Sequence, residues 1–290
     1  MRALVVGASG QVGGGLMQAL RARGHEATGT YTAHAVSDAW PLDLRNTDAV
    51  EHAVHFVKPD WIFCPAGLSH VDYCEDHAEE AFALNRDAPL FLGRMAQRAG
   101  AVFVYYSSDY VFDGNGGPFG EEDEPRPLNV YGRSKLEAER AILAAIPRAL
   151  VLRTSVVYGP EPQEKNFVYQ LIRACREGRP FRPAVDQRAS PTYGPDLAAA
   201  SVEACEKGLT GLYHVAGADT LDRWAFTRLV VETFGLDGSH LTPVKTAELT
   251  QKAARPLEGG LRVGKAQAAL ATPLRGAAEG LRAFHLGFSA

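Results

Sequence analysis

The chain has little with which to hold a polyanion and less with which to staple itself. Its 290 residues carry 30 Lys and Arg against 34 Asp and Glu, giving a net charge of -4 at pH 7 and a pI near 6.1. The basic residues are scattered, so no electrostatic footprint for nucleic acid exists. Only four cysteines occur, Cys64, Cys74, Cys175 and Cys205, and no two share C-x-x-C spacing. That excludes a redox or zinc pair and a disulfide scaffold, and it suits buried thiols in a reducing compartment. No apolar run approaches the roughly 18 residues of a membrane span. Met1-Arg2-Ala3-Leu4 leads directly into a strand rather than a targeting segment. A cytoplasmic protein without membrane or nucleic-acid partners is expected. His52, His55 and His77 fall on helical segments with no spaced cysteine or carboxylate, so no metal site is expected from them. With 46% hydrophobic and 22% charged residues, the chain can bury one large core or two smaller ones.

What is present is an alternation of apolar strands and amphipathic helices, the pattern of a doubly wound parallel α/β sheet. Residues 2–6 form an apolar run that ends in Gly7-Ala8-Ser9-Gly10-Gln11-Val12-Gly13, after which Leu16, Met17 and Leu20 recur at helical spacing. A glycine turn between strand and helix lets the backbone approach a dinucleotide pyrophosphate, where unpaired N–H groups and the helix dipole favour an anion. Gly7, Ser9, Gly10, Gln11 and Val12 are therefore cofactor candidates. The second strand, residues 26–30, is followed by Tyr31-Thr32-Ala33-His34, without the carboxylate that usually binds the ribose of NAD and repels a 2′-phosphate. Both NADH and NADPH are allowed, NADPH slightly preferred, with the hydroxyls of Thr30 and Thr32 near the ribose. Asp43 and Leu44 either meet an adenine ring or, for Asp43, cap the helix expected over residues 50–57.

A third strand over residues 60–64 opens into the loop Pro65-Ala66-Gly67-Leu68-Ser69-His70-Val71-Asp72, at the strand end where ligands of such sheets collect. Ala66 and Gly67 allow close approach of a cofactor. A long helix over residues 75–98 contains Asn85 and should kink or break near Pro89. The fourth strand, residues 101–106, ends in Ser107-Ser108, which either hold a substrate oxygen or merely form a turn. The helix over residues 130–146 places Tyr131 and Lys135 four apart on one face. A phenol beside an ammonium suits general acid–base work, because the cation favours the phenolate. Later segments read as a strand over 149–153, a helix over 166–177, a strand over 181–185 and a helix over 196–206 opened by Pro195. A strand over 211–215 and a helix capped by Asp222 follow. Arg188, in a polar turn, has the fork of donors that clamps a diphosphate.

Four stretches together resemble the dTDP-4-dehydrorhamnose reductase family, a branch of the extended short-chain dehydrogenases. They are Gly7 to Gly13, Ser108-Asp109-Tyr110-Val111-Phe112-Asp113-Gly114, Pro127-Leu128-Asn129-Val130-Tyr131-Gly132-Arg133-Ser134-Lys135, and Pro191-Thr192-Tyr193 with Asp196-Leu197-Ala198. The likeness runs nearly the whole length. It implies Ser108, Tyr131 and Lys135 as a catalytic triad, with Tyr131 and Lys135 also touching the cofactor. It implies a Rossmann domain of residues 1–155 plus about 185–216, and a smaller C-terminal lobe of about 156–184 plus 217–290 that closes over a nucleotide-sugar. Set against it, His70, Asp109, Tyr110, Asn166, Arg188 and Arg255 are the candidate substrate residues, and a homodimer is admitted. A related branch, the regulatory subunit of methionine adenosyltransferase, keeps these motifs and binds a partner enzyme. Two departures stand out. Val156 occupies the position where the reductases tend to have tryptophan, and Gly14 and Gly15 stand where metal-binding members carry a glutamate. No metal is expected.

Overall fold

The computed structural model describes residues 1–288. Seven strands build one parallel sheet: β1 (Arg2–Val6), β2 (Glu26–Tyr31), β3 (Ala39–Pro41), β4 (Trp61–Cys64), β5 (Val102–Ser108), β6 (Ala149–Thr154) and, later in the chain, Gly211–His214. Helices separate them: α1 (Gln11–Ala22), α2 (Thr47–Val57), α3 (Val71–Asp76), α4 (Ala78–Phe82), α5 (Ala88–Arg98) and α6 (Val130–Ala145). The remaining elements are β7 (Val157–Tyr158), α7 (Phe167–Arg176), β8 (Arg188–Ala189), β9 (Thr192–Tyr193), α8 (Gly194–Glu206) and β10 (Gly211–His214). They end with β11 (Leu221–Asp222), α9 (Arg223–Phe234), α10 (Gly264–Ala269) and α11 (Ala277–Phe288). Spatial order in the sheet is β10-β6-β5-β4-β1-β2-β3. The direction of winding reverses between β1 and β4, which opens a crevice at their carboxyl ends.

Helices cover both faces, so the central strands are apolar on both sides: every residue of β4 and β5 is buried. One face, with Val5, Phe63, Val104 and Leu152, packs on Leu16, Leu20 and Leu197 of α1 and α8. The other, with Leu4, Ile62, Phe103 and Tyr105, packs on Val50, Leu92 and Ile142 of α2, α5 and α6. Fully burying such side chains contributes roughly 1.5–3 kcal/mol each. A third core gathers Tyr158, Leu171, Phe226, Val230, Leu281 and Phe284 from β7, α7, α9 and α11. Leu261, Val263, Leu270 and Leu274, which the sequence placed in the smaller lobe, pack on the sheet instead.

Several elements differ from the sequence expectation for local reasons. The helix expected over 75–98 is broken at His77 between α3 and α4, and α4 runs into α5 through a π-helical turn over Ala83–Asp87. Pro89 has no N–H to donate to the carbonyl of Asn85, and that carbonyl accepts the Tyr105 hydroxyl at 2.7 Å. Ser107 and Ser108 are the last residues of β5, not a turn. Residues 181–185 make only isolated bridges, Phe181 to Leu241 and Ala184 to Val244, because Pro183 cannot donate to a ladder. Helix α2 starts at Thr47 and is capped by Asn46, whose Oδ1 accepts the Ala49 amide at 3.0 Å. Asp43 is no cap. Its carboxylate is chelated by the amide and guanidinium of Arg45, at 2.7–3.2 Å, which holds it below the usual carboxylate range.

Candidate active site

The crevice between β1 and β4 is built from backbone. Gly7 lies against Ala66 at the end of β4, and its amide and that of Ala8 donate to the Thr30 carbonyl at 3.1 and 2.7 Å. A Cβ on Gly13 would overlap the Gly7 carbonyl, so only glycine lets α1 fold back this tightly. Gly10 caps α1 without any side-chain hydrogen bond, leaving its first-turn amides open toward the crevice. A dinucleotide pyrophosphate fits that donor set, with Ser9, Gln11 and Val12 beside it. Gln11 also has a mechanical role. With its amide oriented by its partners, it donates to Val157 and Glu161 and accepts from Gly159 and Asn166, while Gln163 donates to the Ser9 carbonyl at 2.8 Å. The glycine turn is thus clasped by residues 157–166.

The second strand corrects an expectation. Thr30 is wholly buried and its hydroxyl, which has no partner, is closed to a ribose; Thr32 donates to the Leu42 carbonyl at 3.1 Å. The segment after β2 is exposed and free of acids until Asp38, which pairs with Arg21 at 3.0 Å.

Beside the crevice, Asn129 starts α6 by accepting the Gly132 amide at 2.8 Å. A Cβ on Gly132 would run into the Tyr110 carbonyl, so glycine lets the helix press onto the strand end that bears Ser108. Tyr131 is half-buried, with Tyr110 edge-on at 5.8 Å between ring centroids. Burial raises its phenol, and the facing Ser108 hydroxyl partly opposes this by hydrogen bonding to the phenolate. Ser108 donates to Asp109 Oδ1 at 3.1 Å, and Ser155 donates to Oδ2 at 2.5 Å. Burial still holds Asp109 above the usual carboxylate range.

Lys135 is 7% exposed. Its Nζ donates to the Tyr106 carbonyl at 2.7 Å and lies 4.6 Å above the Tyr105 ring, so the ammonium reaches β5 rather than resting on the Tyr131 phenol. Burial pushes it down to about 8. Nearby, Asn85 holds the loop after β4. It accepts the Leu68 amide at 2.8 Å, donates to the Leu68 carbonyl at 3.0 Å and donates to Ser134 at 3.0 Å. Ser134 in turn donates to the Tyr131 carbonyl at 2.7 Å. Sequence reasoning noticed Asn85 only as a helix residue.

A cleft of about 460 Å³ adjoins Tyr110 and is lined by His70, Asp72, Phe167, Gln187, Arg223 and Arg255 among others. This volume is in the range of small-molecule sites. Arg255 pairs with Asp72 at 2.8 Å, and Asp72 also accepts the Ala253 amide at 3.0 Å. Burial pushes Asp72 up, but the Ala253 amide and Arg255 together hold it below the usual range. Arg223 makes no ion pair among the described residues and stacks 4.7 Å from the Phe167 ring. Burial lowers its guanidinium, and Tyr110 and Asp109 act the other way.

Of the sequence-named substrate residues, His70, Tyr110 and Arg255 line the cleft and Asp109 lies buried behind Ser108. His70 also caps α3, its Nδ1 accepting the Tyr73 amide at 3.0 Å. Asn166 and Arg188 are elsewhere. Asn166 caps α7 and donates to the Gly159 carbonyl at 2.9 Å, which uses up its amide. Arg188 is exposed, its guanidinium bonded to the Thr220 carbonyl at 3.3 Å. Arg223 and Gln187 were missed, although Arg223 directly follows the cap Asp222, which the sequence did reveal. Gly15 lies against Ala198 in the contact of α1 with α8, and among the described residues no three His, Cys, Asp or Glu side chains converge as metal ligands. Nor is any helix long and apolar enough to cross a membrane, among the described residues.

Residues 1–286 match the family model described as RmlD substrate binding domain. The chain is 31% identical over 296 residues to the probable low-salt glycan biosynthesis reductase of Haloferax volcanii, covering 100% of this chain and 99% of that protein. It is 32% identical over 272 residues to methionine adenosyltransferase 2 subunit beta of Danio rerio, covering 91% of this chain and 83% of that protein. Among solved structures, dTDP-4-dehydrorhamnose reductase from Bacillus anthracis, in complex with NADP, aligns with a TM-score of 0.90 at 27% identity and covers 99% of each chain.

Proposed function

The chain belongs to the RmlD substrate binding domain family, and on that premise we propose that it reduces a nucleotide-linked 4-keto-sugar, most simply dTDP-4-dehydrorhamnose to dTDP-rhamnose. As an NAD(P)-dependent oxidoreductase it would hold the cofactor with the Gly7 to Val12 turn, Ala66, Gly67 and Lys135, with Asp43 and Leu44 toward the adenosine end. A nicotinamide bound there supplies the hydride for the keto carbon. Tyr131 gives its proton to the oxygen as charge develops on it, and Ser108, its hydroxyl turned away from Asp109, donates a hydrogen bond to the same oxygen. Lys135, charged below about pH 8, supplies the local positive potential. The sugar nucleotide occupies the cleft beside Tyr110, where Arg223 and Arg255 face its diphosphate.

The observation that carries this reading is the meeting of Ser108, Tyr131 and an arginine-lined cleft at the carboxyl edge of the sheet. The lobe division follows from it: the sheet with α1 to α6 and α8 forms the cofactor domain, and the core of α7, α9 and α11 forms the substrate lobe. The acid-free segment after β2 supports binding of both nicotinamides, NADPH slightly the tighter. The deciding experiment is NAD(P)H oxidation against a panel of nucleotide 4-keto-sugars. Turnover of none of them overturns the reading. A second reading, favoured by the likeness to methionine adenosyltransferase 2 subunit beta, is a nucleotide-binding partner of another enzyme. Tight NADPH binding without turnover of any sugar would support it.

A further inference from the structure

Three side chains rise from one face of α6 at successive turns: Tyr131, Lys135 and Glu139. The first two belong to the proposed chemistry and the third does not touch the cleft. Glu139 is 2% exposed, a position where a carboxylate is costly to keep. Its partner is Arg153, 3% exposed, whose Nε and Nη2 donate to the two carboxylate oxygens at 2.9 and 2.6 Å. Arg153 lies in β6 opposite Ser107, and the next residue, Thr154, lies opposite Ser108. The ion pair therefore ties the helix of Tyr131 and Lys135 to the strand beside Ser108.

An apolar pair of the same volume would hold helix and strand at least as well, so stability alone does not account for two buried charges. Lys135 does. It is a buried ammonium with no ion pair among the described residues, bonded only to the Tyr106 carbonyl and the Tyr105 ring face. The other groups bearing on it are Cys64 of β4 and Cys74 of α3, thiols that burial pushes up to about 12 and about 11, so both are neutral. Tyr105 and Tyr131, the phenols packed nearby, are neutral as well, each raised by burial. Glu139 is left as the anion acting on Lys135. On its far side the pair meets His214 of β10, whose Nε2 is 3.4 Å from Arg153 Nη1, and the Phe112 ring, 5.0 Å from the guanidinium. His214 is pushed down to about 3 by burial and by Arg153, so it carries no charge at neutral pH, and its amide donates to Glu121.

We propose that Glu139, held in place by Arg153, is a positioning residue that keeps the Lys135 ammonium protonated and directed at the end of β5. The catalytic half of this statement rests on the reductase reading above; the electrostatic half does not. Removing the carboxylate withdraws the anion that acts on Lys135 and leaves Arg153 as an uncompensated cation, so both changes favour the neutral amine.

The test is a carbon-13 titration of the lysine side chains in the full chain, with Lys135→Arg identifying the Lys135 resonance. It is run on wild type, Glu139→Gln and the double variant Glu139→Gln/Arg153→Met, which removes both charges and stays foldable if the orphaned arginine unfolds the single variant. Lys135 is expected to titrate about 1 pH unit lower in Glu139→Gln and by a smaller step in the double variant. The alkaline limb of turnover should move with it. A Lys135 midpoint unchanged from wild type in a folded variant overturns the proposal, whatever happens to activity. A moved midpoint in a protein that reduces no nucleotide keto-sugar upholds the electrostatic link and overturns the reductase reading instead.

Discussion

Two side chains of α6 do the proposed chemistry, and their surroundings set different demands on them. Tyr131 is the proposed proton donor, kept in its protonated form by burial. Tyr131→Phe is expected to lower turnover by about 10² or more while NADPH binding stays within a few-fold, because one hydroxyl is lost and no shape. Near wild-type turnover in that variant would remove Tyr131 from the mechanism. Lys135 has the opposite problem, since its burial disfavours the charged form. Unfolded, it titrates near 10.5; folded, near 8. Between those values the unfolded chain binds more protons, so the cost of burying the ammonium is fully present below about pH 8 and is relieved as pH rises toward 10.5. That cost is about 3 kcal/mol. Denaturant unfolding at fixed pH should therefore show wild type gaining on Lys135→Met across this window. The alkaline limb of turnover should fall near pH 8 for the same reason.

Among the elements, the π-helical turn has the clearest cause and consequence. Pro89 removes one helical donor, the Asn85 carbonyl turns to Tyr105, and the Asn85 side chain is free to hold the loop after β4 and Ser134. Asn85→Ala would leave the Leu68 amide without its partner and Ser134 without one of its two. Its expected cost is about 2 kcal/mol in unfolding free energy. Weaker NADPH binding should accompany it, because the same loop carries Ala66 and Gly67. A variant as stable as wild type would show that the loop is held by something else. Proline at 89 and the cap Asp222 were visible in the sequence. The three-residue strand β3 was not, since three residues carry too little periodicity to register.

At the scale of the whole molecule, the glycine turn, α6 and the cleft converge because the sheet reverses its winding between β1 and β4. Because no three His, Cys, Asp or Glu side chains converge among the described residues, turnover is expected to be unchanged in EDTA, and a loss restored by Mg²⁺ would contradict this. Cofactor choice belongs here too. An acid at position 30 would be a buried unpaired charge, so Thr30→Asp is expected to unfold the chain rather than switch cofactors, as melting curves would show. The sequence by itself determined the alternation of strands and helices, the glycine turn and the pairing of Tyr131 with Lys135 on one helix face, because each rests on spacing within a few residues. Tertiary structure alone decided that Thr30 is sealed in the core and Asn166 serves as a cap, that Lys135 reaches back to β5, and that Arg223 and Gln187 join His70 and Arg255 in one cleft. Those facts depend on which segments, distant along the chain, are packed against one another, and local spacing holds no record of that.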